Sequence, residues 1–195
     1  LGIDKKRNAD VAWLITDSLK KFAYAYQIIP GRVLKDSVMK PSFKYIADNI
    51  SYKYDGSATG DKPVFKKLDL QKWKMRTAVG GGPVLVQNGQ IRITNEEELK
   101  FTGKAINDKH PRTCMGYTGD GYLIIMVIQG RFPGIADGAT LGQEAKLLID
   151  LGCVEALNLD GGGSSCMLIN GKETIKPSDK TGGRPVPAVF IIAKK

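Results

Sequence analysis

Thr140-Leu141-Gly142-Gln143-Glu144-Ala145-Lys146-Leu147-Leu148-Ile149-Asp150-Leu151-Gly152-Cys153-Val154-Glu155-Ala156-Leu157-Asn158-Leu159-Asp160-Gly161-Gly162-Gly163-Ser164-Ser165 is the stretch that decides the fold. Thr140 with Gln143 three residues later forms a capping box, a helix start signal. Leu141, Ala145, Leu148 and Ile149 fall on one face, and Gly152 supplies a stop. A helix is therefore predicted over 141–151. Residues 153–157 follow as an apolar strand. The chain then passes through a carboxylate, three glycines and two hydroxyls before a second apolar run, 166–169. Glycines let the backbone approach a ligand and leave amides free to cradle an anion. Ser164 and Ser165 add donors, and Asp160 adds a charge suited to a sugar hydroxyl or a proton transfer. On composition alone, an ordinary turn is an equal reading of the glycines.

Outward from this stretch, residues 113–117 and 122–128 read as two strands joined by Gly119-Asp120-Gly121, the second of them fully buried. Residues 131–139 form a loop. Upstream, Gly80-Gly81-Gly82-Pro83 abuts a short strand, 84–86, and Asn88-Gly89 is a hairpin turn signal. Downstream, Asn170-Gly171 marks another turn and 186–193 a last strand. Residues 1–75 are less legible: 11–15 reads as a strand, 22–29 as an apolar run ending at Pro30-Gly31, and 52–62 as an exposed loop. The pattern predicts an α+β class, with a mixed or antiparallel sheet packed against helices and glycine-rich loops at the strand ends.

The 195 residues suggest one domain of ordinary globular composition, 42% hydrophobic and 25% charged. No apolar run approaches the roughly 18 residues of a membrane span. The net charge of +9 invites a nucleic-acid reading. Against it, the lysines are scattered in short doublets, with no basic helical stripe interleaved with aromatics. Attraction to phosphorylated or acidic substrates is favoured over nucleic acid. Cys114, Cys153 and Cys166 are odd in number and have apolar neighbours, so buried free thiols are expected. With His110 alone and no C-x-x-C, a His-rich metal site is excluded. His110 itself reads as a structural or exposed histidine.

Three features carry chemistry. The Gly80–Pro83 run (80–83) repeats the theme of a glycine loop beside a strand. Arg112, in His110-Pro111-Arg112-Thr113, is a planar fork suited to phosphate or carboxylate, while an ordinary surface arginine is the favoured reading of that residue taken alone. Glu144 borders the apolar face of the predicted helix, where partial desolvation raises a carboxyl pKa; a solvated glutamate early in the helix, favoured by the dipole, is the competing reading.

Together these residues resemble the phosphodiester glycosidase family, that of the mannose 6-phosphate uncovering enzyme. The resemblance runs from about 79 to 193. It rests on Gly80-Gly81-Gly82-Pro83-Val84-Leu85-Val86, Asn88-Gly89, His110-Pro111-Arg112-Thr113, Gly116 and Asp120-Gly121. It continues through Glu144, Leu151-Gly152, the run from Ala156 to Ser165 and Arg184-Pro185-Val186. The resemblance implies hydrolysis of a glycosidic bond to a phosphate-linked sugar, N-acetylglucosamine among them, without a cofactor or metal. It also implies an extracytoplasmic setting: periplasmic, cell-surface or secreted. Glu144 and Asp160 become the expected catalytic carboxylates. Arg112, Thr113, Gly81, Gly82, Gly161, Gly162, Ser164 and Ser165 become the expected substrate contacts. Glycoside cleavage by a carboxylate pair and charge-assisted binding of a phosphodiester agree with that assignment. Glu144, Asp160 and Arg112 are then expected to line one pocket, with the amides of Gly161 and Gly162 facing it.

The chain departs from the family pattern at Gln129, where members often carry Asp, and at Ala188, where they often carry Asn. No Asn-Gly-Gly segment with an aromatic is found near its start. The expectation is a single phosphodiester glycosidase-like domain over 1–195 that lacks its N-terminal part. A non-catalytic carbohydrate or phosphoglycan-binding domain on the same scaffold is the alternative.

Overall fold

A computed structural model describes residues 1–16, 23–26, 53–54, 65–66, 71–98, 101 and 107–193. The chain forms two compact units, Gly2–Ala78 and Val79–Lys195, the latter joined by Leu1.

In the first unit, β1 (Gly2–Ile3), β2 (Ala9–Asp10), β3 (Trp13–Thr16), β4 (Ala23–Tyr26), β5 (Lys53–Tyr54), β6 (Phe65–Lys66), β7 (Gln71–Lys72) and β8 (Thr77–Ala78) form small antiparallel sheets. The strand expected over 11–15 overlaps β3, which starts at Trp13 and leaves Val11 and Ala12 outside it. The apolar run 22–29 is described only at β4, and the loop 52–62 only at β5; the rest of both lies outside the described residues.

The second unit holds β9 (Val84–Gln87), β10 (Gln90–Ile91), α1 (Asn95–Glu98), β11 (Arg112–Thr118), β12 (Leu123–Ile128), α2 (Leu141–Asp150), β13 (Cys153–Asn158), β14 (Leu168–Ile169) and β15 (Lys172–Glu173). Five strands make one antiparallel sheet in the order β10-β9-β13-β11-β12. Asn88 and Gly89, with φ of 52° and 71°, turn β9 into β10, the left-handed pair a tight hairpin needs.

Helix α2 forms where its signals place it. The Thr140 side chain accepts from the Gln143 amide at 3.1 Å, and Gln143 Oε1 accepts from the Thr140 amide at 3.0 Å. Leu141, Ala145 and Leu148 bury against Leu85, Val86, Cys114, Cys153 and Ala156 of the sheet. Gly116 permits this close seating. A Cβ there would lie 2.6 Å from Cys153 Sγ and 3.2 Å from Leu148 Cδ2.

Four expectations fail. Strand β12 is half-buried instead of fully buried, because it is a sheet edge and α2 covers the central strands. The run 166–169 yields only β14, which is exposed with its hairpin partner β15. Cys166 is likewise exposed, while Cys114 and Cys153 are buried, and all three are free thiols. Residues 186–193 form no strand. They pair with no described strand, and Ile191 and Ile192 are 76% and 80% exposed. An apolar β-former without a partner ladder has no reason to order as a strand.

Candidate functional site

The site lies at the end of the sheet where β13 finishes and β11 begins. Asn158, the last residue of β13, is 1% exposed and ties two loops together. Its Nδ2 donates to the Gly82 carbonyl at 2.9 Å, and its own carbonyl accepts from the Gly82 amide at 2.7 Å. Gly81 lies so close that a Cβ would come 2.5 Å from the Asn158 carbonyl oxygen. On the other side, the Gly162 amide donates to the Pro111 carbonyl at 2.9 Å, which pins the second loop to the start of β11.

Between these loops opens a cavity of about 390 Å³, within the size range of small-ligand clefts. Its walls bring together Gly81, Gly82, Arg112, Asp160, Gly161 and Gly162 from the expected set. They add Phe101, His110, Pro111, Arg131, Asn158, Leu159, Gly163 and Arg184, which the expected site did not include. Arg184 stood in a matching motif but had no assigned role. Arg131 carried no local signal beyond its loop.

Arg112 is 4% exposed. Its Nε donates to the Ala139 carbonyl at 3.0 Å and Nη2 to the Asp108 carbonyl at 3.3 Å, with the guanidinium 5.7 Å from the Phe101 ring centroid. Arg131 lies over Gly162, where a Cβ would sit 3.1 Å from Nη2. Arg184 donates from Nε and Nη2 to Ser164 Oγ at 3.0 and 2.8 Å. Asp179 approaches both arginines at 3.9 Å. Asp160 is exposed at the wall. The cavity is therefore rich in planar cations, suited to an anion with several oxygens.

Other expected residues sit apart from the wall. Thr113 Oγ1 donates to Ser165 Oγ at 3.2 Å, and Ser165 is 1% exposed, so this pair braces β11 against the loop. Ser164 acts through Arg184. The Gly162 amide is taken by Pro111 and does not face the cavity. The amides of Gly161 and Gly163 have no protein partner among the described residues. Gln129 accepts from the Lys176 amide at 2.6 Å, and Ala188 is exposed in the final stretch.

Glu144 is not on the cavity wall. It is 0% exposed, on the face of α2 that meets the sheet, instead of bordering it. Neither carboxylate oxygen has a well-oriented hydrogen-bond partner among the described residues. Burial pushes its carboxyl from the ordinary 4.5 up to about 7, opposed by the Cys114 thiol and the Arg112 charge. The same burial pushes the Cys114 thiol up, with Glu144 adding to the effect. Among the described residues no three His, Cys, Asp or Glu side chains cluster as metal ligands, and no helix is long and apolar enough to cross a membrane.

The chain resembles known proteins over part of its length. It is 33% identical over 103 residues to N-acetylglucosamine-1-phosphodiester alpha-N-acetylglucosaminidase of Bos taurus, covering 49% of this chain and 19% of that protein. The chain thus spans about a fifth of this relative's length. Among solved structures, a putative exported protein from Burkholderia pseudomallei K96243 shares 39% identity at a TM-score of 0.38, covering 39% of this chain and 14% of that one. The zebrafish N-acetylglucosamine-1-phosphodiester alpha-N-acetylglucosaminidase catalytic domain, auto-inhibited by its pro-peptide, shares 28% identity at a TM-score of 0.44, covering 60% of this chain and 42% of that one. The family model described as phosphodiester glycosidase matches residues 26–193. The chain belongs to the phosphodiester glycosidase family, a family of hydrolases.

Proposed function

We propose that this chain hydrolyses the glycosidic bond of a sugar-1-phosphodiester. The observation that carries the reading is one cavity gathering Arg112, Arg131, Arg184, Asp160 and two glycine loops. Three guanidiniums supply charge-assisted donors for the phosphodiester oxygens. Asp160 is the carboxylate placed to meet the sugar, as nucleophile or as base toward water. Glu144 is the second carboxyl, and it acts from beneath the wall through Arg112, whose charge it senses. A phosphate leaves readily, so the reaction makes little demand for a strong acid at the cavity surface. Thr113 and Ser165 hold the start of β11 in register with the loop, and Ser164 orients Arg184. The reading extends to a phosphoglycan or sugar phosphodiester as the partner, one domain as the functional body, and an extracytoplasmic setting.

Incubation with UDP-N-acetylglucosamine and simple sugar phosphodiesters, with free sugar as the readout, tests the proposal. Release that is lost in Asp160→Asn supports it. One observation favours a second reading, a non-catalytic phosphoglycan-binding domain: a single carboxylate, Asp160, lines the cavity among the described residues. Saturable binding of these compounds without sugar release selects that reading.

A further inference from the structure

His110 is the chain's one histidine, and it is one of the residues lining the arginine-rich cavity. Its backbone is fixed from three sides. The His110 amide donates to the Ala139 carbonyl at 3.1 Å, and its carbonyl accepts from the Ala139 amide at 3.0 Å. Pro111 restricts it to extended backbone. Gly130 packs so tightly that a Cβ there would come 2.7 Å from Pro111 N and 3.0 Å from the His110 carbonyl carbon. A ring carried on such a wall is preorganised toward whatever the cavity holds.

The two ring nitrogens differ. Nδ1 is buried and has no hydrogen-bond partner among the described residues. The side chain makes no other hydrogen bond among the described residues, so Nε2 is the nitrogen left for a ligand. Burial first, then the Arg112 and Arg131 charges, hold the imidazole below its ordinary 6.5. A proton on Nδ1 would be unpartnered in the interior, whereas a bare lone pair there is favoured by the neighbouring guanidiniums. The proton of the neutral ring therefore belongs on Nε2.

We propose that His110 contacts the substrate as a fixed neutral donor, giving an Nε2–H hydrogen bond to a phosphate oxygen of the phosphodiester that Arg112 holds. This rests on the cavity being a phosphodiester site. No proton is transferred: the ring keeps its Nε2 proton throughout and adds a directed donor in a cavity that Arg112 and Arg131 also line. The role differs from acid–base catalysis, for which an Nδ1 buried beside cations is unsuited.

A single histidine makes the test direct. Ring nitrogen-15 NMR at pH 7.5 on the whole chain should show the Nε2–H tautomer, and titration with inorganic phosphate should shift that signal saturably. His110→Ala should weaken phosphate binding by about tenfold or more, the scale of one hydrogen bond to a charged group. His110→Gln, which retains an N–H donor, should recover part of the loss. An Nδ1–H tautomer overturns the proposal on the unaltered protein. Unchanged phosphate affinity in His110→Ala also overturns it. If that binding is still lost in Arg112→Lys, the phosphodiester reading stands alone. Absence of saturable binding of both phosphate and UDP-N-acetylglucosamine removes the site itself, and the donor role with it.

Discussion

The side-chain amide of Asn158 donates to the carbonyl of Gly82 at 2.9 Å, and the Gly82 amide returns a bond to the Asn158 carbonyl at 2.7 Å. One side chain thus ties the end of β13 to the loop before β9, and both residues line the cavity. Asn158→Leu should leave the Gly82 carbonyl without its side-chain donor at a cost of about 1–3 kcal/mol. Urea unfolding measures this. Substrate binding should fall with it, because the loop positions depend on the tie. Wild-type stability in the variant would mean the loop holds its place without Asn158.

Glu144 makes stability depend on pH in a defined direction. Its folded pKa is raised from 4.5 to about 7, so the folded state holds a proton that the unfolded chain releases. Its contribution is fully present below about 4.5 and is lost as pH rises through about 7. The displacement corresponds to on the order of 3 kcal/mol at pH 8. Glu144→Gln should therefore stabilise the protein at pH 8 relative to wild type and change little at pH 4.5. Denaturation at the two pH values checks the difference. A variant less stable than wild type at pH 8 would show that the charged carboxylate is well paired.

Arg112 serves the fold as well as the cavity. As a lone cavity arginine it would be expected to weaken substrate use alone when removed. Its bonds to the Ala139 and Asp108 carbonyls mean that Arg112→Ala should also cost about 1–3 kcal/mol of stability. Arg112→Lys keeps the charge but loses the fork, so it should retain more stability than Arg112→Ala and still bind phosphodiester more weakly than wild type. Melting temperature and affinity, measured on both variants, separate the two roles. Equal affinity in wild type and the Lys variant would remove the fork argument.

The thiols should react in two classes. Cys166 is exposed, while Cys114 and Cys153 are buried with their thiols held protonated by desolvation. Titration of native, non-reduced protein should count one reactive thiol per chain, and denatured protein three. Three fast-reacting thiols in the native state would contradict the packing of α2 on the sheet.

Local signals were legible because their physics is local. The Thr140–Gln143 capping box, the spacing of Leu141, Ala145 and Leu148, and the Asn88-Gly89 turn act within a few residues, and each forms as read. The antiparallel strands that carry Arg112 and Asn158 were also visible as apolar runs. Burial depth was not. Periodicity placed Glu144 at the border of the helical face, but Cys114 and the β-sheet beneath α2 enclose it entirely. The apolar composition of 123–128 could not reveal that β12 is an edge, because edge or centre is a property of pairing order. In the same way, 186–193 had strand chemistry but no ladder to join. The glycine loops and Arg112 could be nominated from residue type and order. That His110, Arg131 and Arg184 join them is a tertiary result, since strand pairing together with loop contacts such as that of Arg184 with Ser164, not sequence distance, brings positions 81, 110, 131, 160 and 184 to one cavity.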